Sequence, residues 1–203
     1  MRYMSLDIET GGLDFEECDI LSFCAILDDL SDPKPLEELP VLNCMFTKKT
    51  AYKGQPGGLA MNSNLLLRIA KAMKSHIKED DDGTRYMPLE ELPEAINGFL
   101  FVNGWKPDPV KDMFYVTAAG KNVGSFDIPF LKSKIKRWGR VSLNQRVMDP
   151  AILFFDPEKD NSMPDLQECA NRAGMSKIVS HIAKDDAMMV VQLLRHKFCR
   201  KVI

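Results

Sequence analysis

Three strand-like runs follow one another before any helical pattern begins, and this order limits the folds open to the chain more than any other feature. Residues 2–9 (RYMSLDIE), 20–28 (ILSFCAILD) and 39–47 are rich in β-branched, aromatic and aliphatic side chains, and turn-forming segments such as GGLDFEECD and DDLSDPKP separate them. Consecutive strands with short connections predict an antiparallel meander. Helical spacing then takes over from Asn62 to Ile77 (Leu65, Leu66, Ile69, Met73, Ile77), and a shorter helix is expected over 92–101. The polar stretch KEDDDGTRYMP between them reads as a solvated excursion. A strand at 113–118 leads through GKNVG into a helix at 128–138, a short strand RVMD follows, and helices are expected from near Pro164 and over 183–200. With adjacent helices grouped, the order βββαβαβα predicts an α/β fold with a mixed sheet, a three-strand antiparallel meander plus parallel strands, flanked by helices. All 203 residues are assigned to one domain.

Charge narrows the partners. A net charge of -2 excludes a general polyanion-coating protein, so any nucleic-acid contact must be local. The five cysteines show neither a CxxC pair nor zinc-site spacing and read as reduced, mostly buried thiols. No segment has the length needed to span a bilayer, strand-like sequence starts almost at Met1, and no Asn-x-Ser/Thr sequon occurs. A cytoplasmic protein without a membrane partner is expected.

Three segments carry chemistry. In YMSLDIET, Asp7 and Glu9 share one face of a strand whose other face bears Leu6 and Ile8. With 29 acids in the chain, about four acid-x-acid pairs arise by chance, so the apolar setting rather than the spacing makes this pair notable. In NVGSFDIPFL, Asp127 sits among large apolar residues at a loop-to-helix junction, where an acid is a helix cap or a ligand. AAGKN is no phosphate loop, because Tyr115 and Asn122 stand where that motif needs Gly and Ser or Thr. In HIAKDDAMMVVQLL, Asp186 heads the apolar stripe of Met189, Val190 and Leu193, while Asp185 is rotated about 100° toward solvent. His181 precedes Asp186 by five residues, about 140° away on a continuous helix, so it reaches the same site only from an entry loop or first turn. Should the four acids converge within about 5 Å, each close pair would cost on the order of 3 kcal/mol without cations. Oxygen-only donors select hard ions such as Mg²⁺ or Mn²⁺.

These motifs, DIETGGL, NVGSFD and HIAKDDA, resemble in order and type those of the DEDD exonucleases, specifically the histidine-containing, DnaQ-like branch, over nearly the whole chain. The resemblance implies an RNase H-like fold, two divalent cations held by Asp7, Glu9, Asp127 and Asp186, and His181 as general base. It implies 3′→5′ hydrolysis of a nucleic acid with a free 3′ end, with single-stranded DNA slightly favoured over RNA. Thr10, Gly11 and Leu13 would line the terminal-nucleotide pocket, Leu13 as a wedge against the last base, with Asn122 and Phe126 shaping it. Lys121 departs from the histidine common at its position, so it would contact substrate differently. The acidic stretch Glu79–Asp82 is longer than usual.

Two further readings stay open. The basic run LKSKIKRWGR (Lys132, Lys134, Lys136, Arg137, Arg140) suits either a phosphate path or a solvated helix face. A catalytically silent nucleic-acid-binding module, or a polymerase-associated one, would share the fold; the presence of all five active-site residues favours an enzyme.

Overall fold

A computed structural model of the chain describes residues 1–175, 180 and 182–199. The meander is present. β1 (Arg2–Thr10) pairs antiparallel with β2 (Ile20–Asp29), with a bulge between Glu9 and Thr10, and β3 (Val41–Phe46) continues antiparallel on β2. Helices α1 (Pro56–Met61) and α2 (Ser63–Lys74) then carry the chain to β4 (Thr84–Met87), which lies parallel to β3. After α3 (Leu92–Val102) come β5 (Phe114–Val116) and β6 (Ala118–Ala119), and β6 runs parallel to β1. The sheet order is β4-β3-β2-β1-β6, so the acid-bearing β1 is paired on both sides.

Beyond it, α4 (Asp127–Lys134), β7 (Val141–Leu143), α5 (Pro150–Phe154), α6 (Leu166–Arg172) and α7 (Ala183–Phe198) complete the described chain. β7 pairs parallel with β5 as a separate two-stranded sheet. None of the described helices is long and apolar enough to cross a membrane. All five cysteines are free, and Cys18, Cys24, Cys44 and Cys169 are buried.

The two faces of β1 divide the core. Met4, Leu6 and Ile8 pack in one cluster with Leu92, Ile96 and Leu100 of α3 and Phe130 and Leu131 of α4. Tyr3 joins Cys24, Ile26 and the α7 stripe Met189, Val190 and Leu193 in the other. Ser5 lies on that second face, and its Oγ donates to the Ala187 carbonyl at 2.7 Å, fixing α7 over the strand.

Four expectations need correction. The polar excursion contains a strand: Thr84 is fully buried, Arg85 points out, and Tyr86 and Met87 are buried. Asp80 and Asp82 conceal it in the sequence because they serve it, both accepting from the Thr84 amide while Arg68 binds both carboxylates at 2.6 Å. RVMD forms a single parallel bridge, Met148 to Ala119, and not a strand. The helix expected to reach residue 138 ends at Lys134, with Ile135 extended. Two short helices went unexpected, α1 and α5, each with proline just inside its start; Asp149 caps α5 by accepting from the Ala151 amide at 2.8 Å.

Candidate active site

Alternation along β1 puts Asp7 and Glu9, both half-buried, on the face beneath α7. Because Met189, Val190 and Leu193 are buried against that face, the first turn of α7 brings Asp186, 9% exposed, over the end of the strand. One carboxylate oxygen from each of Asp7, Glu9 and Asp186 lies within 4.8 Å of the others. Asp185 does not face open solvent; it is half-buried and accepts from Ser180 Oγ at 2.9 Å.

Asp127 is not among these three, although of the neighbouring carboxylates it acts most strongly on Asp7. It opens α4, is 2% exposed, and its Oδ1 accepts from the Ile8 amide at 3.0 Å, so one oxygen is engaged in holding α4 to β1. His181 lies outside the described residues.

The electrostatics show how much charge is confined here. Burial, then the carboxylates of Asp127, Glu9 and Asp186, hold the Asp7 carboxyl well above its ordinary range. Glu9 is pushed up to about 7 by burial and then Asp186, with a hydrogen bond from Asn62 pulling the other way. Asp127 is also pushed up to about 7, chiefly by burial. Among the described residues no lysine or arginine lies within ion-pair distance of Asp7 or Glu9. Buried carboxylates in this state are stabilised by cations, and an all-oxygen donor set fits a hard divalent ion.

The loop after β1 is shaped by backbone contacts. Thr10 Oγ1 donates to the Gly12 carbonyl at 2.6 Å, and the Gly11 amide donates to the Asp19 carbonyl at 2.9 Å. A Cβ on Gly11 would stand 2.5 Å from the Lys53 carbonyl oxygen, so only glycine allows this approach. Leu13, at the tip, is 77% exposed, and its amide donates to Gln55 Oε1 at 3.1 Å.

On the far side of Asp127, Asn122 adopts φ 59° and its amide donates to Asp149 Oδ2 at 2.8 Å. Lys121 Nζ donates to Asn122 Oδ1 at 2.6 Å, and the Phe126 ring packs 5.0 Å from that of Phe130.

Sequence reasoning passed over Gln55, Asn62 and Asp149. Gln55 clasps the loop twice, its amide donating to the Gly11 carbonyl at 2.8 Å. Asn62, 6% exposed, donates from Nδ2 to the Thr10 carbonyl at 3.1 Å. Only Asp149 left a signal, as an aspartate immediately before a proline.

No protein-family model matches the sequence, and no curated protein does. Solved structures do match. The zinc-ion-bound complex of E. coli ExoI with ssDNA aligns with 98% of this chain at a TM-score of 0.59 and 18% identity. The fold is RNase H-like. A further exonuclease I structure, described as suggesting how processivity is achieved, aligns over 98% of this chain at the same TM-score and identity. E. coli exonuclease I with a 5cy-dA13 oligonucleotide gives 0.55 and 16%, again over 98%. The chain spans 41% of the length of each of these proteins, and at such identities the likeness is one of fold.

Proposed function

We propose that this chain is a cytoplasmic, single-domain, metal-dependent 3′→5′ exonuclease of the DEDD, histidine-containing type. The observation that carries the reading is the convergence of Asp7, Glu9 and Asp186 within 4.8 Å, on an RNase H-like frame, where burial and mutual repulsion hold the Asp7 and Glu9 carboxyls above their ordinary range. Asp7, Glu9, Asp186 and the adjacent Asp127 would hold two divalent cations, Mg²⁺ or Mn²⁺. Such ions lower the pKa of bound water and neutralise charge on the leaving oxygen.

The residues of the chain divide the remaining work. His181 takes the proton from the attacking water, histidine being the side chain most often suited to that role near neutral pH. The water oxygen bonds to phosphorus as the bond to the 3′ oxygen breaks, leaving a nucleoside 5′-monophosphate and a strand shortened by one residue. Thr10, Gly11 and Leu13 receive the terminal nucleotide, Leu13 wedging against its base, while Lys121, Asn122 and Phe126 bound the opposite side. A strand with a free 3′ end is the substrate, single-stranded DNA ahead of RNA.

End-labelled single-stranded DNA, duplex DNA and RNA of equal length, compared by initial rate, test this reading. Mononucleotides should appear only with Mg²⁺ or Mn²⁺, and neither EDTA-treated protein nor a 3′-blocked strand should release any. Undiminished hydrolysis in EDTA, or a blocked end degraded as fast as a free one, would refute it.

A further inference from the structure

Asparagine is among the residues most favoured just before a helix, where its side-chain oxygen accepts from the first free amides. Asn62 occupies that place, between the end of α1 and the start of α2, yet its side chain makes no cap on α2. It turns instead toward β1. Nδ2 donates to the Thr10 carbonyl at 3.1 Å and to the Gly58 carbonyl at 3.3 Å, and the side chain also hydrogen-bonds to the Glu9 carboxylate. The helix that brings it there is seated closely: a Cβ on Gly58 would stand 2.3 Å from the Gly11 carbonyl oxygen, so glycine lets α1 close on the loop after β1.

What the amide meets is the least constrained acid of the cluster. Glu9 has one more rotatable side-chain bond than Asp7 or Asp186, and it stands at the bulge, where Glu9 pairs with Ser22 and Thr10 with Ile20. Asn62 reaches both residues of β1 at this irregularity, Glu9 through its carboxylate and Thr10 through its carbonyl. Across the ladder, Ser22 shares the face of Glu9 and is buried, but its hydroxyl has no hydrogen-bond partner among the described residues.

We infer that Asn62 is a positioning residue, whose side-chain amide, carried on the α1–α2 junction, holds the Glu9 carboxylate in place toward Asp7 and Asp186. The inference rests on the exonuclease reading and adds to it a residue that fixes one of the acids. Asn62 presents N–H groups, so it acts through Glu9 and not by touching an ion. Because the same amide holds the Thr10 carbonyl, the Glu9 carboxylate and the start of the Thr10–Leu13 loop are fixed from one point. Groups that orient a metal ligand in this way commonly change metal affinity by about 10–100-fold when removed.

The test titrates metal-free protein with Mn²⁺ by calorimetry and compares wild type with Asn62→Ser, Ser22→Ala, Glu9→Ala and the combination of Asn62→Ser with Glu9→Ala. Serine keeps the capping preference at the start of α2 but ends one bond short of the asparagine amide, so the fold is retained while the donor is lost. Asn62→Ser should weaken Mn²⁺ affinity about ten-fold or more. Ser22→Ala alters the other neighbour of Glu9 without removing a donor to it and should bind Mn²⁺ as wild type does. In the Glu9→Ala background, Asn62→Ser should change affinity no further, because the carboxylate it acts through is gone. A purely structural Asn62 would lower the thermal midpoint and leave Mn²⁺ affinity in place. Three results would overturn the inference: Asn62→Ser binding as tightly as wild type, an equal loss with and without Glu9→Ala, or a loss in Ser22→Ala as large as in Asn62→Ser. Crystal structures of metal-free wild type and Asn62→Ser are solved in parallel. Should wild type bind Mn²⁺ yet release no nucleotide, the exonuclease reading falls and the affinities still judge Asn62. Should it bind no Mn²⁺, that reading falls too and the crystal structures judge. Glu9 should then lie against Asn62 in wild type and leave that position in the variant, and a single Glu9 conformer in both would count against Asn62.

Discussion

The helix α7 crosses the same face of the β1–β2 pair at two places where acids are buried, and the two places are built on opposite principles. At one, Asp28 of β2 lies opposite Tyr3, and its carboxylate accepts from the Tyr3 hydroxyl at 2.7 Å and from Arg195 Nε and Nη2 at 3.0 and 2.6 Å. At the other, Asp7 and Glu9 of β1 meet Asp186. Arg195 and Asp186 are nine residues apart on one helix, about 13 Å along its axis. One end of the helix thus brings a cation to a buried anion, and the other brings a third anion to two. The first arrangement is complete within the protein and raises the Tyr3 hydroxyl and Arg195 above their ordinary values through burial and Asp28 respectively. The second gathers charge that, among the described residues, no lysine or arginine matches at Asp7 and Glu9. That contrast distinguishes a joint from a site.

Substitutions on α7 should separate the two roles. Asp186→Asn keeps the shape of the side chain and removes one charge from the cluster. Turnover should fall by about a hundred-fold or more, whereas the metal-free melting temperature should hold or rise as repulsion is relieved. Single-turnover rates and thermal melts of the two proteins check this; a variant retaining more than a tenth of the wild-type rate would remove Asp186 from the chemistry. Arg195→Met should do the reverse. Leaving Asp28 buried without its cation costs about 3–5 kcal/mol, read by urea unfolding, while the rate per folded molecule stays near wild type. If Arg195→Met instead lowers the rate and leaves the unfolding midpoint in place, the assignment of joint and site is inverted.

How much of this contrast was legible in the sequence depends on the range of the contacts. Asp7, Glu9 and Asp186 could be read because each breaks an otherwise apolar local pattern, alternating in β1 and helical in α7. The mixed sheet could be read because three strand-like runs joined by short turns precede the alternation of helices and strands. β4 could not, since Asp80, Asp82 and Arg68 form a polar cluster around Thr84 and Tyr86 that looks like solvated loop when viewed residue by residue. The clasp on the Thr10–Leu13 loop was equally hidden. Gln55 reaches Leu13 across 42 residues and Asn62 reaches Thr10 across 52, and neither distance leaves a local trace. Nor does local pattern decide how close Asp127 comes to the other three acids, because the loop path before α4 sets it.

Acid should sharpen the comparison in metal-free protein. Glu9 holds its proton more tightly folded than unfolded, at about 7 against an ordinary 4.5, so it favours the fold at low pH and loses that contribution as pH rises through the folded value. Asp127, raised to about 7 from 3.8, acts in the same direction. Stability without metal should therefore fall between about pH 4 and 7, by several kcal/mol. Saturating Mg²⁺ should flatten the profile by binding the ionised carboxylates, and Glu9→Gln should make it shallower. A metal-free profile that is flat over this range would show that the cluster is less confined than its geometry implies.

The smallest expected effect is the most discriminating for the register of α7. Asp185 and Asp186 are adjacent, but helical geometry turns their side chains about 100° apart. Asp186 heads the stripe of Met189, Val190 and Leu193, while Asp185 accepts from Ser180 Oγ at 2.9 Å and is not among the three acids whose oxygens meet. Asp185→Asn retains an acceptor for that hydroxyl, so stability should change by no more than about 1 kcal/mol and the rate by no more than a few-fold. The Mg²⁺ concentration giving half-maximal rate should stay where it is in wild type, whereas any ligand of the ion would shift it. Metal titrations of the rate for Asp185→Asn and Asp186→Asn, run side by side, decide the matter. If Asp185→Asn is the variant that loses activity and moves the metal midpoint, α7 is rotated relative to β1 by about one residue, and the carboxylate facing Asp7 and Glu9 in solution is not that of Asp186.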